Sequence, residues 1–193
     1  MKKFLVLAGL VAALALPSLA ATSTWNLDPM HSNAQFMVRH LGISNVQGEF
    51  TKISGQVVLD DADVTKSTVN VTIDVGSVDT RVSRRDDDLK SPNFFDVAKY
   101  PSISFKSTKI TKAGDGKLMV TGDLTIKDVT KEVTLDVAGP SAIDTHMGTR
   151  RGFAASTKIN RQDFHVSADP GMVGDEITIQ IDCEMVLPAP PKQ

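Results

Sequence analysis

The sequence predicts an all-β protein in which about eight antiparallel strands close on themselves, with one short helix and a crossing loop around residues 82–99. Three observations support this prediction. Apolar residues recur at every second position in about eight segments, which is the period of half-buried strands. Short turns containing Gly or Asp join several of these segments. The strand, helix, strand spacing of a parallel sheet does not occur.

The alternation also predicts which face of each strand points inward. In the first predicted strand, residues 32–40, the even positions include Ala34, Phe36 and Val38, whereas the odd positions are mostly polar. The same period recurs at Ile53/Gly55/Val57/Leu59, Val69/Val71/Ile73/Val75, Ile103/Phe105, Leu118/Val120/Gly122/Leu124/Ile126, Val133/Leu135/Val137, Phe153/Ala155/Thr157/Ile159 and Ile177/Ile179/Ile181/Cys183/Met185.

The connections fit hairpins, except at one place. Residues 60–63, 113–116 and 127–130 are turns between alternating segments. Residues 82–99 lose the alternation. There the run that begins at Ser83 has helix-start character, and the apolar pair Phe94-Phe95 follows it. We therefore expect the helix and its loop to cover one end of the sheet.

Alternation leaves two closed architectures open, a sandwich and an up-and-down barrel, and the barrel can enclose one small ligand. The inward positions include small residues such as Ala34, Gly55, Gly122 and Ala155, and only 5% of the chain is aromatic. A fully packed barrel interior needs more bulk than this, so the composition favours a cavity.

The first 20 residues have the anatomy of a secretory signal. Lys2 and Lys3 are followed by an uncharged apolar run over residues 4–16 and by small residues up to Ala20. The sequence therefore predicts a signal peptide at 1–20, one domain at 21–187 and a flexible Pro-rich tail at 188–193. We expect export to the periplasm, with no transmembrane segment.

The charge of the chain limits which partners it can bind, and its cysteine content limits how the fold can be stabilised. Removal of Lys2 and Lys3 leaves 19 basic against 23 acidic side chains. A weakly acidic surface without a basic stripe argues against nucleic acid as a partner. The single cysteine, Cys183, cannot form an internal disulfide, so a core must stabilise the domain.

A set of short motifs follows in order along the chain. They are Trp25-x-x-Asp28-x-x-His31-Ser32, Phe36-x-Val38-x-His40, Gly48-x-Phe50, Arg85-Asp86-x-x-Leu89-x-Ser91, Phe94-Phe95-Asp96-Val97, Tyr100-Pro101-x-Ile103-x-Phe105-x-Ser107, Gly122-x-Leu124-Thr125-Ile126, Gly152-Phe153 and Ile159-Asn160-Arg161-x-Asp163-Phe164. Together and in this order they resemble the pattern of the YceI-like family of exported polyisoprenoid-binding proteins. The chain departs from the family pattern at Asp88, at Lys127-Asp128 and at His165, all in loops or at strand ends.

The resemblance implies an eight-stranded, lipocalin-like antiparallel barrel whose apolar pocket holds a polyisoprenoid, such as a quinone or prenyl-phenol tail, or a similar long-chain lipid. It implies no catalytic activity and no covalent cofactor. It also allows a homodimer, and transient contact with a membrane or membrane protein.

We predict that ten inward residues bind this ligand. They are Phe36, Val38, His40, Val71, Ile73, Phe105, Val120, Leu124, Phe153 and Ile179. The alternative for each apolar member is that it fills a solid core. His40 shares the phase of Phe36 and Val38, so its imidazole is predicted to meet the ligand's head group.

Two rival functions remain open from the sequence. An enzyme acting on an isoprenoid head group needs converging titratable side chains, and the inward set offers only His40 with Ser32 and Thr157. Cys183 is expected to be a buried, inert thiol, and neither His31 nor His40 belongs to a tight metal-ligand pair. The second rival is an interaction or stress protein with a collapsed cavity. Arg85 with Asp86, and Arg161 with Asp163, are interpreted as structural clamps.

Overall fold

The computed structural model describes residues 22–146 and 148–188. The predicted signal peptide, residues 1–20, and positions 189–193 of the predicted tail lie outside the described residues. The strands are β1 Thr22–Leu27, β2 Asn33–His40, β3 Ser44–Phe50, β4 Ile53–Asp60, β5 Thr68–Asp74, β6 Val78–Asp79, β7 Ser102–Gly114, β8 Lys117–Ile126, β9 Val129–Thr145, β10 Gly148–Asn160 and β11 Val173–Val186, and the helix is α1 Ser83–Lys90.

These strands form a closed eight-stranded antiparallel barrel. The order around it is β1, β4, β5, β7, β8, β9, β10, β11, and the pairing of Leu27 in β1 with Met185 in β11 closes the ring. The remaining strands β2, β3 and β6 continue β1, β4 and β5 past short interruptions, since β2 pairs with β11 and β3, and β3 pairs with β6. Three interrupted and five continuous strands therefore give the predicted eight.

The sequence missed the strand nature of β1 and β3. In β3 the inward positions are Val46, Gly48 and Phe50, and the glycine breaks the apolar period. A β-carbon on Gly48 would lie 2.4 Å from Cζ of Phe36, so this inward position has no room for a side chain. The Phe36 ring occupies the space instead.

Strand directions define two ends of the barrel. At one, which we call the helix end, α1 and the loops around residues 41–43, 91–101, 127–128 and 161–172 meet. At the other, which we call the far end, the turns around residues 61–67 and 115–116 and the β9–β10 hairpin lie together.

The predicted helix clamp is present and is centred on a buried threonine. Thr80 is 3% exposed, and its hydroxyl and backbone N–H both donate to Oδ1 of Asp86. Arg85 donates from Nε to the Thr80 hydroxyl and from Nη2 to the Thr80 carbonyl, both at 2.8 Å. The clamp therefore ties the first turn of α1 to the end of β6.

Arg161 is a second clamp, although Asp163 is not its partner. The Arg161 side chain is 4% exposed and donates to the carbonyls of Val166, Ala168, Val173 and Gly174 at 2.7–3.0 Å, whereas Asp163 pairs with Lys131 at 3.3 Å. The guanidinium satisfies backbone carbonyls of the loop that crosses the helix end.

The buried apolar residues form two clusters. The smaller lies on β1, β2, β4 and β11 and includes Trp25, Leu27 and Met185. The larger involves β7 to β10, the phenylalanines of the helix end and Val166. The core therefore lies on the walls and at the helix end of the barrel.

Candidate functional site

A cavity runs inside the barrel between these clusters. Its volume is about 220 Å³, which is more than ten times the space that one buried water needs. Its lining extends from Phe94 and Phe164 at the helix end to Val64 and Pro140 at the far end. The cavity therefore follows the length of the barrel.

Over the part of the chain that the structure describes, the cavity lining is apolar except for four polar side chains, each of which already has a protein partner. Gln35 donates to Asn33, Thr157 donates to the Thr134 carbonyl at 2.9 Å, and the Ser67 hydroxyl accepts from the Asp60 backbone N–H at 3.0 Å. Arg161 is bound to the loop carbonyls described above. The cavity walls therefore suit hydrocarbon.

Half-buried inward residues show that the barrel is hollow. Val69, Val71 and Ile73 face inward on β5, and yet each is only partly buried, as are Ile177 and Ile179 on β11. Residues of a solid core are fully enclosed by neighbours at crystal-like density. These side chains border open space instead.

The glycines do not create this space, contrary to the expectation from their positions. A β-carbon on Gly122 would lie 2.6 Å from Cζ of Phe105, and one on Gly55 would lie 2.4 Å from the carbonyl oxygen of Asn70. Neighbouring atoms already occupy both places. The cavity results from closing eight strands into a barrel, whose radius exceeds what these inward side chains fill.

Nine of the ten predicted ligand-binding residues line the cavity. They are Phe36, Val38, Val71, Ile73, Phe105, Val120, Leu124, Phe153 and Ile179. Their contact with a ligand stays a prediction.

The prediction that His40 faces the pocket is wrong, because His40 is absent from the cavity lining. It is the last residue of β2 and pairs with Val173, whereas Val38 pairs with Ile177. Two residues of β2 therefore match four of β11, and this irregularity separates His40 from the regular inward face.

Aromatic side chains close the helix end. The Phe50 ring centroid lies 5.7 Å from that of Phe36 and 5.7 Å from that of Phe95. Phe94 and Leu89 complete the lining there. The sequence predicted a covering loop from Phe94-Phe95 but did not place these residues in the cavity wall.

The titratable groups in the cavity lining are Cys183 and Arg161. Burial raises the pKa of the Cys183 thiol to about 11, so the thiol stays protonated at neutral pH. Arg161 has its donors engaged. Among the described residues, the lining holds no nucleophile paired with a base.

Three possible metal ligands meet outside the cavity, and the sequence did not predict this. Nδ1 of His31 lies 3.1 Å from Oδ2 of Asp28 and 3.8 Å from Oε2 of Glu184. Arg150 places Nη1 3.2 Å from the same Asp28 oxygen. The hydrogen bond from His31, a backbone N–H and Arg150 hold the pKa of Asp28 below its ordinary value. This arrangement is a hydrogen-bonded ion cluster in which Arg150 already supplies the cation.

One further finding concerns membranes. No helix among the described residues is long and apolar enough to cross a bilayer.

Comparisons with known proteins agree with this architecture. A model of the YceI-like domain matches residues 25–185. A UPF0312 protein of Vibrio parahaemolyticus is 39% identical over 169 residues, covering 86% of this chain and 89% of that protein. The crystal structure of BcnA from Burkholderia cenocepacia is 30% identical, with a TM-score of 0.74 over 82% of this chain and 98% of that one.

A more distant structure shares the fold. A polyisoprenoid binding domain from Saccharophagus degradans, implicated in plant cell wall breakdown, superposes with a TM-score of 0.65 at 16% identity, over 85% of this chain and 98% of that one.

Proposed function

The chain belongs to the YceI-like family, and from that premise we propose that it binds a polyisoprenoid, or a similar long-chain lipid, inside the barrel and carries it through the periplasm. The observation that carries this proposal is the apolar cavity that extends from the helix end to the far end. Its shape and chemistry fit a hydrocarbon chain better than a compact polar metabolite.

The hydrophobic effect provides enough free energy for such binding. Burying one methylene group contributes about 0.8 kcal/mol. Ten methylene equivalents therefore contribute about 8 kcal/mol, which corresponds to a dissociation constant of about 1 μM before the cost of ordering the ligand. A long isoprenoid needs few polar contacts to bind.

The site favours binding over chemistry. The titratable groups of the cavity lining are the protonated thiol of Cys183 and the guanidinium of Arg161, whose donors already have partners. Acyl or group transfer requires a nucleophile with a base beside it, and these two groups do not provide that pair. The volume of the cavity also favours a carrier over an interaction module with a collapsed interior. The domain from Saccharophagus degradans is described as polyisoprenoid binding, and this supports the ligand class by analogy of fold.

Lipid extraction tests the proposal directly. The full chain is expressed in a bacterial host, purified from the periplasm without detergent and extracted with organic solvent for mass spectrometry. A different exported protein of similar size, purified in parallel, measures the lipid background. We expect about one molecule of an isoprenoid quinone, prenyl-phenol or long-chain lipid per protein. We also expect the mass of the intact protein to correspond to a chain that starts near Ala21.

A second measurement decides the case of an empty protein. Delipidated protein is titrated with phytane, a branched isoprenoid hydrocarbon, and with a ubiquinone. Micromolar or tighter binding supports the carrier. Protein that arrives empty and takes up neither compound contradicts it.

A further inference from the structure

A second cavity, which we call the vestibule, opens at the far end of the barrel. It has a volume of about 350 Å³ and is formed by the turn after β4, the β7–β8 turn, Gly139-Pro140 of β9 and Arg151 of β10. Four apolar residues, Leu59, Val64, Leu118 and Pro140, line both the vestibule and the internal cavity. These four residues therefore form a shared apolar wall between the two spaces.

The vestibule differs from the cavity in polarity, and its charges balance. Three acidic residues, Asp60, Asp61 and Asp115, lie in its lining with three basic residues, Lys112, Lys117 and Arg151. An anionic group such as a diphosphate finds no excess of positive charge there. A neutral polar group meets hydrogen-bonding partners without an unbalanced charge.

Arg151 provides a donor that lacks an acceptor. Its guanidinium lies over the Trp25 ring, 5.1 Å from the centroid, and its Nη2 is 2.9 Å from Oδ1 of Asp61. These two contacts hold the side chain in place. The Nε atom is buried and has no hydrogen-bond partner among the described residues. Buried donors are nearly always paired in folded proteins, so this N–H marks a position where an acceptor is missing.

Among the residues that the structure describes, the helix end offers no comparable place for a head group. The rings of Phe50 and Phe95 pack against each other there, and Arg161 donates to two carbonyls of the following loop and to two at the start of β11. A chain in the cavity therefore has its polar terminus accommodated at the far end.

We propose that the vestibule receives the uncharged polar head group of the chain held in the cavity, and that Arg151 donates a hydrogen bond to an acceptor oxygen of that group. A small readjustment of the guanidinium brings its shielded Nε–H to the acceptor. The inference rests on the proposed function, because it assumes that the cavity holds a lipid chain. It replaces His40, at the opposite end, as the residue that meets the head group.

Three probes with isoprenoid chains of equal length test the assignment. They are a ubiquinone with a geranylgeranyl tail, phytane as the hydrocarbon of matching length, and geranylgeranyl diphosphate. Each is titrated into the delipidated full chain. We expect the quinone to bind about tenfold more tightly than phytane, as one additional hydrogen bond to a charged donor provides, and the diphosphate to bind less tightly than the quinone.

Variants locate the hydrogen bond. Arg151→Lys keeps the positive charge but removes the Nε–H, and we expect it to weaken quinone binding about 5- to 10-fold while phytane binding changes less than about twofold. Arg150→Lys is the matched control, because Arg150 pairs with Asp28 and is absent from the lining of the vestibule. This control should leave both affinities unchanged.

The outcomes separate the inference from the proposed function. Equal losses for quinone and phytane, or no loss for either, overturn the role of Arg151. If the diphosphate binds most tightly of the three probes, the assignment of an uncharged head group is wrong. The proposed carrier function still holds in that case if phytane binds. If the wild-type chain binds none of the probes, the carrier function itself fails, and this inference fails with it. If Arg151→Lys does not fold, the relative affinities of the three probes for the wild-type chain still test the assignment.

Discussion

Filling the barrel with a larger side chain distinguishes a hollow interior from a solid core. We choose Val71→Phe, because Val71 faces the cavity and is only partly buried. Its neighbours across the sheet are Gly55 on β4 and Phe105 on β7, and the Phe105 ring leans over Gly122. Because Val71 lines the cavity and yet is only partly buried, the space in front of its side chain is open.

The two interiors predict opposite signs for the change in stability. The phenyl ring adds four carbon atoms, and at about 0.8 kcal/mol each, reduced by half for partial burial and lost rotamer freedom, it stabilises a hollow barrel by about 1–2 kcal/mol. In a close-packed core the same change costs about 1–3 kcal/mol. With a urea dependence near 2 kcal/mol per molar, the midpoint of unfolding should rise by about 0.5–1 M.

Ligand binding gives the second readout. A ring that displaces three or four methylene groups of a bound chain should weaken phytane binding by about 50- to 200-fold. The control is Thr72→Phe, which adds an aromatic ring to the exposed outer face of the same strand and should leave the affinity unchanged. A lower urea midpoint for Val71→Phe, together with unchanged phytane binding, would refute the hollow, ligand-binding interior.

Three further predictions concern the clamps, the ion cluster and the thiol. Replacing Arg161 by Met should destabilise the fold by about 3–5 kcal/mol in urea unfolding, because four backbone carbonyls lose a buried donor, and a cost below about 1 kcal/mol would contradict the clamp. Asp28 has a lowered pKa, so its contribution to stability is fully present above the unfolded value of 3.8 and is lost as the pH falls toward and through the lower folded value. The stability gap between wild type and Asp28→Asn should therefore narrow as the pH falls below 3.8, and a gap that stays constant from pH 5 to pH 2 contradicts the linkage. With a pKa of about 11, Cys183 should resist alkylation by iodoacetamide at pH 8 in the folded protein and react readily in urea, and rapid labelling of the folded chain would show that the thiol is accessible.

Periodicity in the sequence located most of the strands and their inward faces, although it missed β1 and β3. Side chains alternate between two faces of a strand with a period of two, which is a local property of the backbone. Alternation therefore identified Phe36, Val120 and Ile179 as inward residues. Loss of that period, followed by an apolar pair, was enough to locate the helix and its covering loop.

The closure of the barrel, the place of His40 and the vestibule could not be predicted from the sequence, because they depend on contacts between distant segments. Closure rests on the pairing of β1 with β11, and the position of His40 rests on an irregularity in the pairing of β2 with β11. The vestibule brings Asp61, Asp115 and Arg151 together from turns and a strand that are far apart in the chain. Local periodicity carries no information about such pairings, because register between distant strands is set by the packing of the whole barrel.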